Sequence, residues 1–406
     1  TRITEMKAYH LKSILLVLMS SDLLVSCSGS GGPFFASGGI DGSGIISQGS
    51  ISGFGSIFVN GTEFDTSDAA IIINGVEIGI GDDVVRQNLD IGRVITAEGQ
   101  RFEDPNTAVA DRLTYSNNVK GPVESILEID DVTKEIIVLG QTVIVNTATN
   151  FKDATFDTIA ENDVVEVSGL FDDTGAIYAT FIGKTVGGVP GLEVEVTGYA
   201  VNLDPVLKSF EINGLTVDYS SADTSGLPGG LPAEGLFVEV QGTIDAIGGE
   251  MVASKIQPGD ELDAVDAAEI EVTGFVTDFF SSSEFTVGNQ PVQTGEDTLF
   301  VDGTQADVAL GVKLEAEGTL VDGILLATEI EFWDPGQIEV EGFVTSIDSP
   351  SEFTIGSQRV QTDVTTVFEG GTPEDIVLGV KIEVKGVPAD TNQGVLFADK
   401  VSFERQ

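Results

Sequence analysis

The stretch FVTDFFSSSEFTVGNQPVQT, Phe275–Thr294, returns almost unchanged as FVTSIDSPSEFTIGSQRVQT, Phe343–Thr362. Further on, DVALGVKLEAEG (Asp307–Gly318) matches DIVLGVKIEVKG (Asp375–Gly386). Two long matches in the same order define a folding unit of about 70 residues, because internal repetition marks the unit that folds. Within it, hydrophobic residues alternate with polar ones: Lys313, Glu315 and Glu317 interleave with Leu314 and Ala316, and Glu339 and Glu341 flank Val340. Period two is the signature of strands with one face in a core, so the other face is expected to be wet.

Working outward, three more copies appear. The opening strand recurs as LEVEVTGY (Leu192–Tyr199), EIEVTGF (Glu269–Phe275) and IEVEGF (Ile338–Phe343), and more weakly as SISGF (Ser50–Phe54) and VKGPV (Val119–Val123). One glycine stays in register: Gly53, Gly121, Gly198, Gly274 and Gly342. A second series, Gly99, Gly169, Gly242, Gly318 and Gly386, is expected to end a later strand, and closing segments align on Ala110, Ala179, Ala253, Ala327 and Ala398. Between them runs a hairpin. GFGSIFVNGTEFDT (Gly53–Thr66) returns as KEIIVLGQTVIV, KSFEINGLTVDY, SEFTVGNQPVQT and SEFTIGSQRVQT, always an apolar strand, a glycine turn and an apolar strand. The glycines of GFGSIFVNG (Gly53–Gly61) match neither phosphate-loop spacing, and no lysine accompanies them there; Asn60-Gly61 reads as a hairpin turn.

In the fourth copy the order is a strand to Val276, a hairpin, a short strand at Thr298–Val301, a helical turn at Thr304–Leu310 and a final hairpin at Asp322-Gly323. The predicted fold is therefore all-β: five tandem small OB-like β-barrel domains, closed or partly closed, because closure removes the exposed edges of a short sheet. Small β-sandwich repeats are the alternative. The expected divisions are a leader at 1–27, a Gly/Ser tether at 28–48 and domains at 49–117, 118–187, 191–258, 268–333 and 337–406.

SGFGSIFVNGTEFDTSDAAIIINGVE (Ser52–Glu77) resembles the signature of the bacterial domain-of-unknown-function 5666 family, and the closing Ala-x-x-Ile/Val segments are similar to its last strand. The resemblance covers most of Gly49 to Glu404. It implies tandem small β-domains in exported bacterial proteins and supplies no activity or functional residue.

The chain carries 19 Lys and Arg against 66 Asp and Glu, a net charge of −47. Nucleic-acid backbones are bound by clustered cations, so nucleic acid is excluded as a partner. The single histidine, His10, and the single cysteine, Cys27, precede the repeats, which leaves the repeats no disulfide, thiolate, imidazole base or His/Cys metal ligand. From Met6, Lys7 and Lys12 lead into the apolar segment Ile14–Met19 and a second patch, Leu23–Val25, the order of an export signal. Leu24-Val25-Ser26-Cys27 resembles a bacterial lipobox; the resemblance implies a diacylglyceryl group on Cys27 and, with Ser28 following it, an outer-membrane destination.

Candidate ligand sites are few. Glu193 with Glu195, Glu269 with Glu271, and Glu339 with Glu341 each share a strand face, where carboxylate oxygens could hold Ca²⁺; the competing reading is a solvated face. Paired carboxylates suffice for glycoside hydrolysis, but small barrels lack the cleft, so no enzyme is expected. For polysaccharide, exposed rings are the usual device; Trp333 lies at a linker, where it would pack a joint, while Phe279 and Phe280 offer either a patch or core. The expected function is a non-catalytic spacer, adhesion or assembly module of the cell envelope, held to the membrane by its lipid and meeting an envelope protein or polysaccharide. A calcium- or polysaccharide-binding envelope protein is the alternative.

Overall fold

A computed structural model describes residues 43–54, 56–101, 106–185, 193–244, 249–259, 269–333, 337–356, 358–388 and 395–403. Domain 4 shows the plan. Its strands are Glu269–Ser281, Glu284–Val287, Gln290–Val301, Lys313–Val321 and Ile324–Trp333, with a 3-10 turn at Gln305–Asp307. Strand 1 pairs with strands 2 and 4, strand 3 runs parallel to strand 5, and strand 4 is antiparallel to strand 5, so the ring closes in the order 1-2-3-5-4-1. The parallel pairing of strand 3 with strand 5 recurs in every domain: Glu63 with Thr107, Val143 with Ile177, Val217 with Met251, and Arg359 with Val395. Closed rings of this order are OB-type barrels, not sandwiches.

Each barrel encloses the inward half of the alternation. In domain 4 this is Ile270, Val272, Phe285, Val292, Leu314 and Ile330. Each such side chain contributes about 1.5–3 kcal/mol on burial. Domains 2 and 3 share one continuous core, in which Val119 and Val123 join Val194 and Val196.

Both glycine series have a steric cause. A Cβ at Gly121 or Gly198 would meet the Leu139 or Ile212 side chain at 2.6 Å, and one at Gly274 or Gly342 would crowd Val287 or Ile355. Strand 1 thus needs a bare position where the end of strand 2 folds across it. At Gly99, Gly169, Gly242, Gly318 and Gly386 a Cβ would lie 2.0–2.2 Å from a carbonyl oxygen of strand 5. All five sit at a register shift between strands 4 and 5. They do not end the strand, as the repeat pattern suggests; the strand continues past each of them. A β-bulge with this close approach keeps the pairing, which the one-dimensional pattern does not display.

Other boundaries also move. Ser43–Ser50, most of which falls in the expected tether, is the opening strand of domain 1, because Ile45 enters that domain's core and the segment pairs along Val94–Arg101. In domain 4 strand 1 runs past Val276 to Ser281, and the short strand at 298–301 is the end of one bulged strand, Gln290–Val301. The helical turn shrinks to Gln305–Asp307, held by a capping box between Thr304 and Asp307. Domain 1 adds a hairpin, Ala70–Ile73 with Val76–Ile80, and a helix, Asp82–Asn88, that seats Val85 in the core.

The domains do not hang as separate beads. The first half of strand 1 has one edge left open by its own barrel, and the domains cover these edges for one another. Ile45–Gln48 of domain 1 pairs in parallel with Glu269–Val272 of domain 4. Val119 and Lys120 of domain 2 pair antiparallel with Val196 and Glu195 of domain 3. In domain 5, Glu341 N–H donates to Ser52 O in domain 1 at 3.4 Å. Unpaired edges invite foreign strands, so mutual covering makes five barrels one body.

Candidate functional site

Docking reverses the expectation of a wet strand face. Glu195, Glu271 and Glu341 are 5%, 3% and 2% exposed. The alternation is genuine, but the polar face of each barrel lies against a neighbour. Glu193 stays exposed and Glu269 is half-buried, so the paired glutamates do not occupy equivalent surroundings. Cys27 lies outside the described residues.

Domain 1 meets all four other domains through buried polar contacts. Its Arg101 grips Glu269 and Glu271 of domain 4, and Thr62 Oγ1 donates to Glu271 at 3.2 Å. Asn74 and Asn117 donate to Glu195 of domain 3 at 2.8 and 2.6 Å, and burial raises the pKa of that carboxyl. Lys381 of domain 5 reaches Glu63 at 2.9 Å and its own Glu341 at 3.3 Å. Arg93 binds Glu166 of domain 2 and Asp90, with its guanidinium between the rings of Tyr115 and Phe181. These cations are what the sequence reading missed. The available signal was scarcity: with only 19 Lys and Arg in the chain, one placed on a strand is conspicuous. Among the described residues, no group of three or more His, Cys, Asp or Glu is arranged to hold a metal ion.

The seam between domains 4 and 5 is the most charged. Lys313 and Lys385 each lie 4.5 Å from the Trp333 ring, so this tryptophan does pack the joint, as the last residue of a strand. Lys385 contacts Glu331 at 2.6 Å, Glu383 at 3.6 Å and Glu339 at 3.7 Å. Burial, reinforced by Glu383, pushes Glu339 up to about 8; on the side of domain 4 that faces domain 1, burial with the charges of Glu271 and Glu329 pushes Glu317 up to about 7. Glu315 is likewise raised by burial. A carboxyl whose folded pKa exceeds its unfolded value stabilises fully below the unfolded value, and that contribution is lost as pH rises through the folded pKa. Burial lowers Lys313 to about 8, and its contribution is lost between its ordinary value of 10.5 and about 8, above most of this window. The seam is therefore expected to melt at a lower temperature at pH 8.5 than at pH 5.5, followed by the fluorescence of Trp333. Glu339→Gln should remove much of the difference, and a melting temperature that rises with pH contradicts the assignment.

Where domains 1 to 4 converge there is a cavity of about 680 Å³. Domain 3 places Tyr199 and Phe237 on one wall, ring centroids 5.0 Å apart, and domain 2 adds Phe171, 6.1 Å from Phe237. Tyr199 Oη donates to Asn289 of domain 4 at 2.8 Å across the wall. Gln48, Thr96, Asn118 and Thr277 supply amides and hydroxyls. Among the described residues the charged lining is wholly acidic: Asp172, Asp173, Glu239 and Asp278. Phe279 and Phe280 stay outside the core, Phe280 at 82% exposure.

Closed five-stranded barrels, repeated in tandem and docked through strand edges and buried ion pairs, define an all-β repeat protein. The particular repeat has a family: a profile described as Domain of unknown function (DUF5666) matches residues 120–183, 196–257, 273–331 and 341–402, over half of the chain. The chain belongs to that family. The matched spans fall in domains 2 to 5, while domain 1, with its extra hairpin and helix, lies outside them. No curated protein matches the chain. Among solved structures it is similar to one titled "drosophila Unr CSD456", at 13% identity over 53% of this chain and 96% of that one, with a TM-score of 0.14; at that score the likeness carries no argument.

Proposed function

We propose that this is an exported, lipid-anchored protein of the bacterial cell envelope that acts without catalysis, as a rigid adhesion or assembly body. The observation that carries this reading is the pairing of strand-1 edges between domains 1 and 4 and between 2 and 3, with a single backbone hydrogen bond from domain 5 to domain 1. A spacer gains length from undocked domains; five docked barrels gain a fixed arrangement of outer surfaces instead. Absence of His and Cys from the repeats supports a non-catalytic role. Lys7, Lys12 and the apolar segment ending at Leu24-Val25-Ser26-Cys27 support export and anchoring in the outer membrane. The test is mass spectrometry of the mature amino terminus from the membrane fraction of an expressing Gram-negative cell. The expected species begins at Cys27 with acyl chains attached; a mature chain beginning elsewhere, or one without lipid, contradicts the anchor.

A further inference from the structure

The four-domain cavity has the attributes of a ligand site, and we infer that it binds a neutral oligosaccharide. This goes beyond the scaffold role and holds whether or not the chain is lipid-anchored. At about 680 Å³ the cavity lies within the range of small-molecule sites and has room for several linked sugar rings.

The lining selects the chemistry. Sugar rings carry C–H groups on their faces and hydroxyls around their rims. The faces call for aromatic surface, which Tyr199 offers most openly, with half-buried Phe171 beside it and the buried Phe237 ring packed edge-on against both as backing. Tyr199 is 49% exposed despite its packing, so much of its surface is open to a ligand. The rims call for side chains that donate and accept. Asn118 spends its amide oxygen on Gly169 N–H at 2.7 Å, and no protein acceptor for its NH₂ is found among the described residues. Asp173 and Asp278 line the cavity as carboxylate acceptors for hydroxyl donors.

Charge excludes the main competitors. Among the described residues no lysine, arginine or histidine lines the cavity, while four carboxyl residues do. A phosphate, sulfated glycan or uronate would meet only like charge there. Shape matters too, because the walls come from four domains and exist only while these are docked. The site is thus a product of the assembly and belongs to no single repeat; along the sequence Phe171, Tyr199 and Phe237 are unremarkable one by one.

The test is saturation-transfer NMR on the full chain with neutral tetrasaccharides of glucose, N-acetylglucosamine, mannose and galactose, and with tetragalacturonate as the anionic counterpart. Saturation of at least one neutral tetrasaccharide and none of tetragalacturonate is expected. Tyr199→Ala should weaken binding by about tenfold, whereas Tyr199→Phe, which keeps the ring and loses the bond to Asn289, should retain it. Small-angle scattering of each variant shows whether the domains remain docked, so loss of the site is separated from loss of the assembly. Phe280→Ala, away from the cavity lining, should change nothing. The inference is overturned if no neutral tetrasaccharide binds the docked wild-type protein, if tetragalacturonate binds better, or if binding survives Tyr199→Ala undiminished.

Discussion

Replacing Arg93 with alanine is expected to destabilise the protein by about 3–5 kcal/mol, the usual cost of removing one partner from a buried ion pair. Arg93 is 5% exposed. Its guanidinium lies 4.2 Å from the Phe181 ring and 4.6 Å from Tyr115, with Asp90 at 3.2 Å and Glu166 closer still. Alanine would leave Glu166 without its cation and Asp90 with only Lys152, at 3.0 Å, across the seam of domains 1 and 2, and a void between two rings. Lysine would restore the charge without the planar fork that stacks and bonds at once, so Arg93→Lys should recover only part of the loss. Equilibrium urea unfolding measures both variants. A loss under about 1 kcal/mol for alanine would mean that the seam behaves as a solvated surface pair.

The second large effect is expected at Gly318. Alanine there would put a Cβ 2.0 Å from the Leu326 carbonyl oxygen, a backbone atom that cannot swing aside. Strands 4 and 5 must separate at the bulge, at a cost at or above the upper end of the about 1–3 kcal/mol that overpacking typically carries. Gly288 is the informative control. It sits in the hairpin turn at φ 56° with open space where its Cβ would be, so alanine pays only the left-handed backbone cost of about 1–2 kcal/mol. If the two substitutions cost the same in thermal unfolding, the bulge does not constrain the barrel as described.

The single barrel was largely legible in the sequence, because repeat, alternation and glycine turn are local signals. Asn60-Gly61 is a turn with both residues at positive φ, and strands 2 and 3 of every copy fall where the apolar pairs lie. What alternation could not reveal is what covers the polar face. Glu195 and Glu271 read as solvated because a strand facing water and a strand facing the polar side of another domain have the same pattern. The difference lies in partners far along the chain, such as Arg101 for Glu271. Domain 1's helix was also hidden, since Asp82–Asn88 is only two turns long and places just Val85 in the core. The cavity was illegible for a related reason: its walls belong to four domains, and no window of sequence contains two of its rings.

Five barrels form one docked body, and small-angle X-ray scattering of the chain from residue 41 onward tests this most directly. A compact body of this length has a radius of gyration of about 21 Å, whereas five barrels strung in line give about 40 Å. A value near the first, unchanged by moderate salt because the seams are buried, is the predicted result; a value near the second, or a distribution of distances spanning both, would contradict the docking.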